Sequence, residues 1–166
     1  MKPLRLWITL ILVTPLFVGC ANEIGDSCST NIDCDPLGGR ICDTSQLEGY
    51  CTVAGCDIGT CPEEAVCVRF FPTAFLSVPC NPLTEDAVQG TRSNDCTDGP
   101  EGEFCLTGGY CVQKTQGTSF CMKTCEADDD CRDGYECRST GTQGAEAVPD
   151  PDNPGIRPAL FCAPRI

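Results

Sequence analysis

The 17 cysteines of this 166-residue chain constrain its fold more than any other feature. About one residue in ten is cysteine, the density of a secreted chain held together by disulfides, because a reducing cytosol keeps thiols open. Metal and redox alternatives need a different spacing. No two cysteines are separated by two residues and the chain has no histidine, so zinc-knuckle and thioredoxin-like patterns are missing. An odd count leaves one cysteine outside any intramolecular bridge.

The sixteen cysteines from Cys28 onward fall into four consecutive sets, each spaced C-x(4–8)-C-x(5–7)-C-x(8–24)-C. The sets are Cys28, Cys34, Cys42 and Cys51; Cys56, Cys61, Cys67 and Cys80; Cys96, Cys105, Cys111 and Cys121; and Cys125, Cys131, Cys137 and Cys162. Repetition on this scale implies one small unit used four times. Between third and fourth cysteines the chain reads as a hairpin. DTSQLEGY after Cys42 returns near Gly49, and VQKTQGTSF after Cys111 turns at Gln116-Gly117. Four cysteines permit three pairings. Interlocked bridges, first to third and second to fourth, tie the loop to both hairpin strands and are the expectation here. They give Cys28–Cys42, Cys34–Cys51, Cys56–Cys67, Cys61–Cys80, Cys96–Cys111, Cys105–Cys121, Cys125–Cys137 and Cys131–Cys162. The expected fold class is small and disulfide-rich, with short β-hairpins and loops, little helix, and two lobes of two four-cysteine units each.

Other residues repeat in step with the cysteines. Gly39, Gly108 and Gly134 stand three places before a third cysteine, where a glycine supplies positive φ for a turn. Asp33 and Asp130 precede a second cysteine, a place for an Asx-turn, and Tyr50, Phe120 and Phe161 precede a fourth. Residues 81–95 are polar and lack cysteine, so they read as the linker between lobe 1 (28–80) and lobe 2 (96–166). In style the chain resembles Dickkopf-type and EGF-like modules, a resemblance that carries no functional residue across.

Residues 1–19 form a leader: Lys2 and Arg5 precede the apolar run LWITLILVTPLFV, too short for a comfortable membrane span. Phe17-Val18-Gly19-Cys20 then resembles the lipobox of bacterial lipoprotein precursors, with Phe17 in place of the usual leucine. The resemblance implies cleavage after Gly19, diacylglycerol on the sulfur of Cys20 and acylation of the new amino terminus, with palmitate among the chains. Cys20 is then the odd cysteine, and residues 20–27 are a lipidated tether. Two or three acyl chains, at about 0.8 kcal/mol per buried methylene, anchor a protein stably. Ala21 after the cysteine implies delivery to the outer membrane, with periplasmic and surface faces both open. Loss of Lys2 and Arg5 takes the net charge from −13 to −15, which repels nucleic acid and anionic headgroups.

Function is sparser. Without histidine, and with every cysteine after Cys20 expected in a bridge, catalysis lacks its usual groups; no cofactor is expected. Glu126, Asp128 and Asp130 alternate like the first ligands of a calcium loop, but Cys131 stands where that loop needs glycine, so a solvated acidic turn is the plainer reading. The candidate binding loop is RFFPTAFLSVP, residues 69–79, with Phe70, Phe71, Phe75 and Leu76. Buried, it is core; exposed, it marks a protein partner site. The stretch between Cys137 and Cys162 is rich in proline, glycine and acids and reads as a loose excursion. The expectation is a lipid-anchored envelope protein that binds or displays, its partner unidentified. A passive spacer lipoprotein and a protease-inhibitor-like module are the alternatives.

Overall fold

The computed structural model describes residues 22–83, 96, 102–148 and 158–165. The leader, the Gly19–Cys20 cleavage and lipid site, and residues 84–95 of the expected linker lie outside them. One helical turn, α1 (Asn31–Cys34), precedes the hairpin of β1 (Ile41–Cys42) and β2 (Cys51–Thr52). Next come β3 (Ala65–Phe70), the hairpin of β4 (Glu103–Cys105) and β5 (Cys111–Gln113), and β6 (Thr118–Lys123). The chain ends with β7 (Tyr135–Ser139), β8 (Ala145–Ala147) and β9 (Leu160–Pro164). β3 is the centre of a three-stranded antiparallel sheet ordered β6-β3-β8, and β7 pairs with β9. This is a small, mostly β, disulfide-rich fold.

All sixteen cysteines from Cys28 on are bridged, but not within consecutive sets. Cys28–Cys42, Cys34–Cys51, Cys56–Cys67, Cys96–Cys111, Cys125–Cys137 and Cys131–Cys162 are present. Cys61 joins Cys121, however, and Cys80 joins Cys105. The expected Cys61–Cys80 and Cys105–Cys121 bridges are therefore corrected. The regrouping is a nesting. A second unit of Cys56, Cys61, Cys67 and Cys121 holds within its hairpin a complete unit of Cys80, Cys96, Cys105 and Cys111. In all four units the bridges run first to third and second to fourth.

The physical basis is the hairpin neck. Third and fourth cysteines face each other across antiparallel strands in every unit: Cys42 and Cys51, Cys67 and Cys121, Cys105 and Cys111, Cys137 and Cys162. Residues so opposed project to the same face of the pair about 5 Å apart. The loop carrying the first and second cysteines lies over that face, and the sulfurs of the first, second and fourth cysteines come within 4.8 Å of one another. The hairpin beyond the neck is then free to vary. It holds 8 residues after Cys42, 24 after Cys137 and 53 after Cys67, the last including the nested unit.

Acidic residues shape the loop over the neck. The Asp33 carboxylate accepts N–H groups of Ser29 and Thr30 at 2.9 and 2.8 Å, and Asp130 accepts those of Glu126 and Ala127 at 2.8 and 3.1 Å. These carboxylates reach back along the chain, where an Asx-turn reaches forward. Thr60 does the same in the second unit, its hydroxyl accepting the Asp57 N–H at 2.9 Å. Asn31 and Asp128 accept the N–H of the third cysteine, Cys42 and Cys137, each at 2.9 Å. Three places before a third cysteine, Gly134 and, in the nested unit, Gly102 have positive φ; in the first unit it is Gly38, the neighbour of Gly39, and Gly108 precedes Cys111, which the nesting makes a fourth cysteine.

The expected lobe boundary is crossed twice by disulfides, Cys61–Cys121 and Cys80–Cys105, and once by a sheet, since β3 pairs with both β6 and β8. β8 also corrects the loose excursion after Cys137, part of which returns as an edge strand. Gln116-Gly117 is a corner between sheets, because β5 pairs with β4 and β6 with β3. The main core gathers Ile24, Tyr50, Val68, Met122, Tyr135 and Phe161 with cysteines around the central sheet. A second core of Phe71, Leu106 and Val112 belongs to the nested unit.

Residues 22–27 are folded. Ile24 is fully buried, Gly25 N–H donates to Cys51 O, and Cys51 N–H donates to Asp26 O, both at 2.9 Å. Residues 22–27 of the expected tether therefore belong to the fold.

Gly49 closes the first hairpin at φ +66, and a Cβ there would collide with Cys28 O and stand 2.9 Å from both sulfurs of Cys28–Cys42. Gly49→Ala should cost at least about 1–3 kcal/mol by strain at this φ, read as a lower urea midpoint. A midpoint equal to that of the unsubstituted protein would contradict the geometry.

Candidate functional site

The loop 69–79 divides between core and surface. Phe70, the last residue of β3, is half-buried, its ring 5.8 Å from Phe161 in a T-shaped contact and 6.3 Å from Phe120. Phe71 is 3% exposed and packs edge-on against Phe104 at 5.8 Å, with Leu76 half-buried against the same cluster. Phe71 is not free for a partner. Phe75 and Val78 are, at 39% and 49% exposure.

Local hydrogen bonds hold these two in place. Phe71 N–H donates to Gly144 O at 2.8 Å, and Thr73–Phe75 form a 3-10 turn after Pro72. Cys111 N–H donates to Val78 O and Cys80 N–H to Gly109 O, each at 2.9 Å, and the Cys80–Cys105 bridge closes the base. The loop is thus braced at both ends, which lowers the entropy lost when it is bound. Pro79 bridges to Tyr110, a further exposed aromatic that sequence reasoning missed. Tyr110 belongs to another run of the chain, and only the Cys80–Cys105 pairing brings it alongside. The nested hairpin is also fastened to β8, where the Glu146 carboxylate accepts the Thr107 N–H at 3.1 Å and hydroxyl at 2.5 Å.

A separate hollow of about 630 Å³ opens between the first hairpin and the central sheet, lined by Ile41, Asp43, Tyr50, Phe70, Phe120 and Met122, among others. Its walls are mostly apolar. The rim acid, Asp43, is occupied by the Ser45 hydroxyl at 2.6 Å and the Gln46 amide at 3.3 Å. Beside it, Tyr50 donates no route to chemistry: burial pushes its phenol up to about 12, and its oxygen accepts the Lys123 N–H at 2.9 Å. The Arg132 guanidinium lies 4.2 Å from the Tyr135 ring centre and donates to Leu47 O at 2.7 Å, clamping the last unit to the first.

The acidic run Glu126–Asp130 does not gather oxygens. Asp130 is directed onto backbone N–H groups; Asp128 divides its oxygens between Cys137 N–H and Arg165, the latter at 3.0 Å. Among the described residues, the groups that converge closely enough for a metal are all cysteines, and those are bridged. The described site offers shape and apolar contact. Comparison with protein-family models, curated proteins and solved structures finds no match.

Backbone donors hold the carboxyls of Asp33 and Asp130 below the ordinary value of 3.8. A depressed folded value means that their stabilisation is complete above 3.8 and is lost as pH falls through the folded value. Carboxyl NMR titration should give midpoints below 3.8 for both, and Asp130→Asn should flatten the acid limb of the stability profile. Midpoints at or above 3.8 would contradict the capping role.

Proposed function

We propose that this protein is a lipid-anchored envelope module that binds a protein partner through the braced loop of its nested unit. The anchor part of this reading comes from the lipobox-like Phe17-Val18-Gly19-Cys20. The observation that carries the binding part is the exposure of Phe75 and Val78 on a loop closed by Cys80–Cys105 and hydrogen-bonded to the nested hairpin. Large apolar side chains presented rigidly on a polar surface favour partner contact over a passive role. Its position also suits display. Glu64, just before β3, accepts the Ile24 N–H near the anchor, whereas Phe71, just after β3, belongs to the nested core. The seven residue steps from Glu64 to Phe71, at about 3.3 Å each, set these ends roughly 23 Å apart.

The test separates the surface from the core. In envelope membranes of the producing cell, the double variant Phe75→Ser/Val78→Ser should keep all eight bridges and its thermal midpoint while losing specific chemical cross-links. Phe71→Ser should instead destabilise by about 3–5 kcal/mol, the usual loss on truncating a buried phenylalanine. An unchanged cross-linking pattern in the double variant would reject this loop as the binding surface and favour the spacer reading.

A further inference from the structure

The first unit carries a second apolar feature at the opposite end from the nested loop. Leu37 is 96% exposed and Ile32 is 72% exposed, on the turn and the helical turn α1 of one short loop. Neither side chain supports the fold. The nearby acids accept backbone N–H groups of the same loop: Asp33 those of Ser29 and Thr30, and Asp35 those of Leu37 and Gly39 at 2.8 and 2.7 Å. The loop therefore projects two aliphatic side chains while its own carboxylates are engaged with its backbone.

Where the chain leaves the described structure decides what this tip can meet. Asn22 lies beside the loop. Its carbonyl accepts from Arg40, and it lines a hollow together with Ser29 and Asp33. Ile24, two residues further on, is fully buried, with its N–H directed to Glu64 at 3.4 Å. Cys20 lies four residues before Ile24, a reach of at most about 14 Å even when fully extended. An acyl chain on Cys20 would then hold the Ile24 end of the first unit within about that distance of the bilayer.

Resting on the lipid-anchor reading above, we propose that Ile32 and Leu37 dock the first unit onto the membrane surface beside the acylated cysteine. The contact is with the headgroup–acyl boundary of the bilayer. It is apolar in kind, because a chain of net charge −15 without its leader gains nothing from anionic headgroups. Docking at the first unit directs β3 away from the bilayer and the nested loop outward.

The protein reports on this directly, because Trp7 is its single tryptophan and leaves with the leader. Leu37→Trp and, as a control, Tyr110→Trp are prepared in the lipidated chain and reconstituted in phosphatidylcholine vesicles with and without brominated acyl chains. The proposal expects blue-shifted emission and strong quenching for Leu37→Trp, reduced by adding Ile32→Ser, and little quenching for Tyr110→Trp. Intact mass is measured on the same samples. Acylated protein in which both tryptophans stay unquenched, or are quenched alike, overturns the docking and leaves the anchor standing. A chain without acyl mass overturns the anchor and the docking together.

Discussion

Across the neck of each of the four described hairpins two cysteines stand directly opposite each other, and both are bridged to a loop lying over them instead of to one another. The strands at two of these necks are very short, Ile41–Cys42 against Cys51–Thr52 in the first unit and Glu103–Cys105 against Cys111–Gln113 in the nested one, and such a pairing is not independently stable in water. A pair of interlocked bridges, each typically contributing about 2–4 kcal/mol, gives the unit its order. The chain beyond the neck can then lengthen without disturbing it. That is how the hairpin of the second unit carries an entire further unit, and why Phe71, Leu106 and Val112 form a small core of their own.

The same arrangement gives three of the chain's acids a structural role. Asp33 and Asp130 cap the turn that follows the first cysteine, and Asn31 and Asp128 satisfy the N–H of the third. What looks in sequence like an incipient calcium loop is a repeated backbone cap, built twice with nearly the same geometry. The repeat extends to Ala65 and Tyr135, whose N–H groups donate to Pro62 O and Arg132 O, each at 3.0 Å. Charge here serves local conformation, while cohesion between units comes from the central sheet, the Arg132 clamp and buried rings.

Much of this was legible before any coordinates. Fold class and the interlocked rule follow from cysteine count and spacing. The nesting does not, because consecutive grouping assumes that a unit closes before the next begins. One signal was available: an aromatic precedes Cys51, Cys121 and Cys162, whereas Pro79 precedes Cys80. Read strictly, that marks Cys121 and not Cys80 as the closing cysteine of the second unit. The division of the loop 69–79 was not legible. Phe70 and Phe71 point into two different cores because β3 ends between them, and the partner for Phe71 comes from β4, more than thirty residues away. The exposed tip at Ile32 and Leu37 was missed for a related reason. Its neighbours in sequence are ordinary loop residues, and nothing in their spacing marks the exposure of these two side chains.

The central claim is the nesting of one unit inside another, and peptide mapping of the unreduced protein tests it most directly. The protein is cleaved at low pH to prevent exchange, and the linked peptides are identified by mass. The account predicts the peptide holding Cys61 joined to that holding Cys121, and Cys80 joined to Cys105. Recovery of Cys61–Cys80 together with Cys105–Cys121 would contradict it and restore four units in simple tandem.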